Sequence, residues 1–497
     1  MDIDNSFNGE IVVGSRIIDY LSSGLYPSPA ACLKELINNS FDADATIVNV
    51  YVKPDADRII IEDNGTGMNR TEFETNLKKI SESHKRDDGN YTFARRPKIG
   101  KIGIGFIAAN EICEVMHIIS HKEGSPEQLE VSINFDLMRQ AIATRKRTGD
   151  DIAKGHYEGK VLYSNEKTSF TQIILEQIRG EARKIFAGAG TSSFSVGTRN
   201  LYGLKPESEL KILKDKSLKT WLEFDAYSQN RLEVALSVPV PYHDNWLPEN
   251  LEPQVKFVEK QAEDLNFHVY FDGSELRKPI AFNPVGRALI SEFNFVGKKV
   301  SATGYFYAQN SSIQPDQLHG LLIHIRNAAV GGYDTGFLNF SLTYGPLFQK
   351  WISAEVYADD RLEDAMNIDR RTLRTSHPAY TELQAAIHDH LQSLIKRMRS
   401  EIYGAGSDDR NILRAEKSKN KILKIISKEI SRVSPEAAQR MKRAWSVASD
   451  NNLDRKRLLK KYSVDEVYSI VLNVASEVLT EKQYQEFVDK LTIRLRK

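Results

Sequence analysis

Apolar and polar residues recur along this chain with two different periods, and each period predicts a different kind of element. Leu33, Leu36, Ile37 and Ser40 recur at helical spacing directly after a Pro-Ser-Pro sequence, which is typical of a helix start. Residues 46–52 alternate and residues 58–61 form a short apolar run, so both segments are predicted strands. Further strands are predicted at residues 170–175, 267–271, 300–307, 320–327 and 352–357.

This mixture of elements predicts an α+β protein of three domains. A length of 497 residues suggests that number, and 41% hydrophobic with 27% charged residues is typical of a globular protein with real cores. Turn residues at 188–197 place the first boundary near residue 181, and helical spacing dominates the last hundred residues. The predicted domains are residues 1–180, an α/β middle domain at 181–400 and a helical module at 401–497.

The formal net charge of +1 hides one strongly basic segment. Residues 410–461 contain 16 Lys and Arg against 5 Asp and Glu. Such a segment can hold nucleic acid or an acidic partner. It can equally be a solvated helix face, or a complement to the acidic remainder of the chain. No zinc-ligand spacing, helix-turn-helix signature or internal repeat favours nucleic acid further.

Cysteine content and the start of the chain bear on where the protein works. Cys32 and Cys113 lie in apolar segments that are predicted to be helical, and we expect both to be core residues in a reducing compartment. The first residues are acidic and no apolar leader follows them. No apolar run approaches the length that spans a membrane. We therefore expect a cytoplasmic protein that makes no membrane contact.

The first chemical motif lies on the helix predicted near residue 33. Glu35 and Asn39 are four residues apart and therefore share one helix face. A carboxylate and an amide oxygen placed together can orient or deprotonate a water molecule and ligate Mg²⁺. Taken alone, the pair also fits an ordinary solvated helix face.

The second motif follows the strand predicted at residues 58–61. Asp63 at the end of that strand can accept a hydrogen bond from an exocyclic amine. Gly65 and Gly67 turn the chain sharply, and Gly67 is expected to let a flat ring lie against the backbone. Taken alone, the sequence Asp-Asn-Gly also fits a simple hairpin turn.

The third motif is a glycine-rich segment before an apolar run that is predicted to be helical. Gly100, Gly103 and Gly105 precede Phe106 there, and such a turn at a helix start presents bare N–H groups to phosphate oxygens. No Gly-Lys-Ser/Thr sequence closes it as in a Walker loop, and no dinucleotide-binding pattern surrounds it. A single glycine-rich turn is weak evidence on its own.

Together, the three motifs resemble the Bergerat-fold ATPases, the GHKL group of gyrase, heat-shock protein 90, histidine kinases and MutL. The first motif is most similar to MutL and its relatives, and the third to the heat-shock protein 90 family. Histidine kinases are disfavoured because no phosphoacceptor-helix motif precedes the site. The resemblance implies a Bergerat-fold α/β sandwich at residues 1–180 that binds ATP and Mg²⁺. It also implies that Glu35 is catalytic and that Asn39 is a Mg²⁺ ligand.

The same resemblance extends to three flanking segments. The sequence around Asn76 is similar to a heat-shock protein 90 segment near the ribose and phosphates, although Lys78 and Glu82 depart from it. Residues 81–90 occupy the position of the mobile lid in these ATPases, and a plain flexible loop fits equally well. Residues 170–175 look like the strand whose threonine shares the adenine pocket. The residues thereby implied in ATP binding are Asn39, Asp63, Gly65, Gly67, Met68, Asn76, Gly100, Lys101, Ile102, Gly103, Ile104, Gly105, Phe106 and Thr171.

A second resemblance lies at residues 352–373. This stretch is similar to the part of the heat-shock protein 90 middle domain that contains an arginine reaching the ATP γ-phosphate. On that match Arg370 is the second catalytic residue and Asn367 shapes the loop around it. Arg371 replaces a glutamate of the family, so either arginine can be the one that reaches the phosphate.

These observations predict an ATPase that works as a conformational switch similar to heat-shock protein 90 chaperones and acts on a client or partner protein. The alternative is a DNA-linked clamp similar to MutL or MORC proteins, using the basic segment. A third hypothesis is that the site binds nucleotide without hydrolysing it. Apolar stripes at residues 464–479 and 483–495 predict a homodimer through the C-terminal helices, or a helix pair that packs on the middle domain.

Overall fold

The computed structural model describes eleven segments of the chain, which form two compact units. The units are residues 1–395 and residues 396–497, and each is described here by itself. The α+β class predicted from the sequence is confirmed. The described residues are 6–14, 28–52, 58–81, 91–100, 105–135, 152–189, 197–284, 286–340, 348–367, 371–404 and 464–495.

A nine-stranded sheet, in the order β1-β6-β5-β4-β7-β3-β2-β8-β9, forms the N-terminal half of the first unit. Its neighbouring strands are antiparallel except β2 and β8, which are parallel. Its alternating strands bury one set of side chains, as in β2, where Val48, Val50 and Val52 enter the core. The strands are β1 (Ser6–Gly14), β2 (Ile47–Val52), β3 (Arg58–Asp63), β4 (Cys113–His121), β5 (Glu127–Asn134), β6 (Ile152–Tyr163), β7 (Phe170–Ile178), β8 (His268–Phe271) and β9 (Ser274–Glu275).

Helices cover this sheet and complete its core. The core contains apolar residues of the first motif helix together with Tyr227, Val234 and Ala235 from a helix much later in the chain. The helices of the first unit are α1 (Pro29–Asp42), α2 (Arg70–Ser81), α3 (Gly180–Phe186), α4 (Pro206–Leu213), α5 (Ala226–Ser237), α6 (Lys256–Glu263) and α7 (Pro378–Arg397, whose last two residues belong to the second unit).

The predicted boundary between residues 180 and 181 does not coincide with the edge of this sheet. Strands β8 and β9, which the sequence analysis assigns to the middle domain, extend the sheet because β8 pairs with β2. Helix α5 likewise contributes to the first core. The N-terminal half and the middle half therefore share elements within one compact unit.

A five-stranded sheet forms the middle part of the first unit, in the order β10-β11-β14-β12-β13. Its core is rich in aromatic residues, including Trp246, Tyr305 and Tyr307. Strands β12 and β14 are parallel, while the other neighbours are antiparallel. The strands are β10 (Ala288–Val296), β11 (Ser301–Gln309), β12 (Gly320–Ile325), β13 (Ala328–Ala329) and β14 (Ile352–Ala358).

The described part of the second unit is helical. Helices α8 (Val464–Val478) and α9 (Glu481–Leu495) enclose a small apolar cluster of Ala475, Leu479, Phe487 and Leu491. The basic segment at residues 410–461 lies outside the described residues. Among those described, no helix is both long and apolar enough to cross a membrane.

Two local predictions near the glycine-rich segment are wrong. The apolar run after Gly105 forms a 3₁₀ helix, Gly105–Glu111, and Cys113 begins strand β4 instead of lying in a helix. The run ends after seven residues because strand β4 begins two residues after Glu111. Both cysteines are buried thiols that are not joined in a disulfide, as expected of core residues.

Candidate nucleotide-binding site

Helix α1 carries the first motif, and its local sequence explains why it forms. Ser28 caps the helix by accepting a hydrogen bond from the Ala31 N–H, and Pro29 occupies the first turn, where its missing N–H is not needed. Leu33, Leu36 and Ile37 are fully buried on the sheet side. The helix is therefore held in place by its core face, which sets the position of the polar residues.

Glu35 and Asn39 lie on this helix in different environments. Glu35 is only 9% exposed, and its carboxylate has no hydrogen-bond partner among the described residues, whereas Asn39 is exposed. The environment of Glu35 is thus not that of a solvated helix face. An unpaired carboxylate in a sheltered position is free to bind a water molecule or a ligand group.

Asp42 is a third polar residue on the helix face of Glu35 and Asn39. The sequence analysis missed it. Its carboxylate oxygens accept hydrogen bonds from the backbone N–H groups of Ile99 and Gly100, both at 2.6 Å. Glu35, Asn39 and Asp42 follow the i, i+4, i+7 spacing of one helix face, which is the signal that could have identified it. Asp42 therefore ties the start of the glycine-rich segment to the motif helix.

Asn39 offers one oxygen ligand of the kind that Mg²⁺ prefers. Its amide oxygen lies 3.8 Å from the point that a Cβ atom at Gly100 would occupy, so it is next to the glycine-rich segment. In the described ranges, no group of three or more His, Cys, Asp or Glu residues could hold a metal ion. A Mg²⁺ ion here would therefore depend on Asn39, phosphate oxygens and water, which is a usual arrangement for Mg²⁺ with nucleotides.

Asp63 ends strand β3 in a sheltered position. Ser40 donates a hydrogen bond to one carboxylate oxygen at 2.8 Å, and the Gly65 N–H donates to the other at 2.9 Å. Burial raises the pKa of Asp63 to about 6, although these two hydrogen bonds oppose the rise. Each oxygen keeps a further lone pair, so the carboxylate can still accept a hydrogen bond from a ligand.

Thr171 lies directly opposite Asp63, because the two residues are partners in the register of β3 and β7. Its hydroxyl is 3.0 Å from that of Ser120, the residue beside it on β4. Ser120 also accepts the Met68 N–H at 2.9 Å and donates to the Phe170 carbonyl. The sequence analysis missed Ser120, since nothing local distinguishes it from any other strand serine.

The two glycines of the second motif are required by close backbone approaches. Gly67 has φ +63°, and a Cβ atom there would overlap the carbonyl oxygen of His121. This differs from the expectation that Gly67 makes room for a flat ring, because strand β4 already fills that side. A Cβ atom at Gly65 would lie 2.7 Å from the Ala43 carbonyl oxygen. Glycine thus lets the turn after β3 pack between α1 and β4.

Several expected site residues are only partly described. Residues 101–104, which contain Lys101, Ile102, Gly103 and Ile104, lie outside the described residues, as do lid residues 82–90. The backbone of Gly105 and Phe106 begins the 3₁₀ helix, and Asn76 is exposed on α2.

The expected second catalytic residue, Arg370, also lies outside the described residues, but its neighbours are visible. The backbone N–H of Asn367 donates to the Thr372 carbonyl at 2.9 Å, and its side-chain amide donates to the Thr372 hydroxyl at 2.8 Å. These bonds hold Asn367 and Thr372 together. Arg371, beside Thr372, is exposed.

This site places the N-terminal region in a known class. Residues 27–154 match the family described as histidine kinase-, DNA gyrase B-, and HSP90-like ATPase, so this part of the chain is similar to a GHKL-type ATPase domain. The resemblance to GHKL ATPases noted from the three motifs is therefore confirmed.

Individual relatives are distant. The chain is 33% identical over 117 residues to a putative type II restriction enzyme, HgiDII, of Herpetosiphon aurantiacus, a match that covers 24% of this chain and 19% of that protein. It is 29% identical over 137 residues to the chaperone protein HtpG of Bacillus subtilis (strain 168), with 22% and 21% covered. For HtpG of Gluconobacter oxydans (strain 621H) the identity is 28% over 145 residues, with 25% and 23% covered. The chain thus matches about a fifth of the length of these relatives.

Proposed function

We propose that this chain binds ATP with Mg²⁺ and hydrolyses it to ADP and phosphate. The observation that carries the proposal is that helix α1 bears one sheltered carboxylate, Glu35, and bonds through Ser40 to a second, Asp63. Asp63 is buried opposite Thr171 with lone pairs to spare, while Glu35 is sheltered and unpaired on the helix that Asp42 ties to Gly100. The first group suits an adenine amine, and the second suits the water that attacks a γ-phosphate.

Each residue then has a defined role. Asp63 accepts the adenine amine, with Ser120 and Thr171 forming the polar wall behind it. The N–H groups of the glycine-rich segment, residues 100–106, bind the phosphates. Asn39 helps to hold Mg²⁺, whose charge would offset that of the phosphate oxygens. Arg370, or its neighbour Arg371, contacts the γ-phosphate from the middle half.

Glu35 acts on the attacking water. Its carboxylate accepts a hydrogen bond from the water molecule. This hydrogen bond orients the water oxygen toward the γ-phosphorus. As the new P–O bond forms, the bond to the β-phosphate oxygen breaks, the water proton passes to Glu35 and ADP leaves with the bonding electrons. The role requires a carboxylate in a position sheltered from bulk solvent, which Glu35 has.

The test is Glu35→Ala in the full-length protein. We expect ATP binding to persist and turnover to fall by about 10²–10⁴, because one general base is lost. Glu181→Ala, which removes an exposed glutamate at the start of α3, is the matched control and should leave turnover unchanged. An unaltered turnover number in Glu35→Ala would refute the assignment.

The biological role has two candidates. The similarity to HtpG favours an ATP-driven conformational switch that acts on a client or partner protein. The similarity to a putative restriction enzyme and the basic segment at residues 410–461 favour a DNA-linked clamp. Binding to long duplex DNA measured at several salt concentrations separates the two, because neutralising phosphates makes affinity fall steeply with salt. Affinity that is absent at low salt eliminates the clamp.

A further inference from the structure

The β12–β13 hairpin of the middle half, whose turn is Arg326 and Asn327, reaches the helix that carries Glu35. The Lys34 ammonium, on α1, donates a hydrogen bond to the Ala329 carbonyl at 2.8 Å. Both ends are sheltered, with Lys34 9% exposed and Ala329 2% exposed. A charge-assisted hydrogen bond shielded from water is a strong link between two elements. Lys34 directly precedes Glu35, so the link acts on the backbone next to the proposed catalytic carboxylate.

The same turn also contacts the chain just before the glycine-rich segment. Arg326 donates a hydrogen bond to the Lys98 carbonyl at 2.7 Å, two residues before Gly100. Its guanidinium is nearly buried and lies 3.0 Å from the Glu363 carboxylate, an ion pair within the middle half. Arg326 thus joins the approach to the phosphate-binding segment to the middle half.

A third contact joins Gly331, two residues after β13, to Arg371. Gly331 has φ +71°, and a Cβ atom there would overlap the Arg371 carbonyl oxygen. Only glycine permits that approach. The segment 326–331, which we name the connector, therefore contacts α1, Lys98 and Arg371.

The connector is stiff, so a displacement at one of its contacts is passed to the others. Arg326 and Asn327 form the two-residue turn between β12 and β13, both with positive φ (+54° and +67°), as a tight hairpin turn requires. At its base, His324 is bonded to the Glu355 carboxylate at 2.8 Å, and both side chains are fully buried. A short hairpin with a fixed base moves as one piece.

We propose that Lys34 is a positioning residue, which through the connector holds Glu35 in register with Arg371. This inference rests on the proposed ATPase function and adds a residue to it. Nucleotide binding through Asp63 does not use the connector, whereas hydrolysis needs both Glu35 and the arginine that contacts the γ-phosphate. Lys34 should therefore affect the rate of hydrolysis and not the affinity for ATP.

The experiment compares Lys34→Met with wild type in the full-length protein. We expect the affinity for a non-hydrolysable ATP analogue to stay within about twofold and kcat to fall roughly 10–100-fold, since small misplacements of reacting groups have effects of that size. Glu233→Gln is the matched control. It weakens another link of α1 to a distant part of the chain, the 2.9 Å hydrogen bond from Ser28, without touching the Lys34 contact. It should leave kcat unchanged.

Arg326→Gln weakens the contact between the connector and Lys98, and it should reproduce the loss of kcat. Normal kcat in a folded Lys34→Met protein, or equal loss in Glu233→Gln, overturns the inference. So does failure of both Lys34→Met and Arg326→Gln to fold, because the connector would then serve stability alone. Failure of the proposed function is distinguishable, since wild type itself would then show no turnover above Glu35→Ala.

Discussion

At the scale of single residues, Asp63 shows how burial prepares a binding group. Its pKa is raised from 3.8 to about 6, chiefly because burial disfavours the charged form. The folded protein therefore keeps this proton at pH values where the unfolded chain has released it. The contribution of Asp63 to the free energy of unfolding therefore falls by about 3 kcal/mol as the pH rises from about 3.8 to about 6. A ligand amine that hydrogen-bonds to the ionised form offsets that cost.

Replacing Asp63 by Asn should weaken ATP binding by roughly 10–100-fold, because a charged acceptor is replaced by a neutral one. In wild type, affinity measured by calorimetry should also decrease as the pH falls from 7 to 5, and Asp63→Asn should lose the part of that change due to the carboxyl. Glu62→Gln is the control, since neighbouring strand residues point to opposite faces. Intact affinity in Asp63→Asn would mean that adenine binds elsewhere.

At the scale of elements, the middle sheet is organised around a buried carboxylate on β14. Glu355 accepts hydrogen bonds from Tyr305 at 2.6 Å, Tyr242 at 2.7 Å and His324 at 2.8 Å. Burial opposes its ionisation, but His324 and the buried Lys278 outweigh this and lower its pKa. Burial lowers the pKa of His324 to about 4, so the neutral ring donates to the carboxylate. The connector hairpin begins directly after this cluster.

Glu355→Gln should destabilise the protein by about 3–5 kcal/mol, because it leaves the buried Lys278 without its counter-charge. Urea unfolding at neutral pH measures the change. Glu292→Gln on β10, an exposed position, serves as the comparison and should shift stability by less than about 0.5 kcal/mol. A loss in Glu355→Gln no larger than in Glu292→Gln would show that the cluster does not stabilise the sheet.

At the scale of the whole molecule, the proposed arginine contact couples nucleotide state to shape. Only ATP supplies a γ-phosphate, so ATP and ADP should give different compactness. Arg370→Ala should keep ATP binding, slow hydrolysis and abolish the difference seen by small-angle scattering with a non-hydrolysable analogue. Arg371→Ala tests the neighbouring arginine in the same way. Identical scattering of wild type with the analogue and with ADP would contradict the coupling.

Assembly is the second prediction at this scale. Helices α8 and α9 bury four apolar side chains between them, while Val471, Leu472, Val474, Val478 and Tyr484 remain only partly buried. We expect these partly buried side chains to be covered by residues 464–497 of a second copy, in a homodimer. Truncation after Lys461 should give a monomer by light scattering and leave ATP binding intact. A full-length protein that stays monomeric at micromolar concentration, with or without an ATP analogue, would disprove it.

The sequence by itself determined the elements whose cause is local. Helix α1 and strands β2, β3, β7, β12 and β14 follow from apolar periodicity, capping and turn residues, all of which act within a few positions. The spacing of the three motifs identified the class of ATPase for the same reason. A nucleotide site needs a particular set of chemical groups, and the GHKL ATPases supply them in one order along the chain.

Only the tertiary structure decided how distant segments meet. Asp42 bonds to Ile99 and Gly100, Ser120 lies beside Thr171, and Lys34 reaches Ala329 across 295 positions of the chain. Gly67 is required by the carbonyl of His121, and β8 joins the first sheet by pairing with β2. Each of these contacts depends on strand order and helix packing. A single sequence carries no local signal for them, because the energy that selects them comes from burying both partners together.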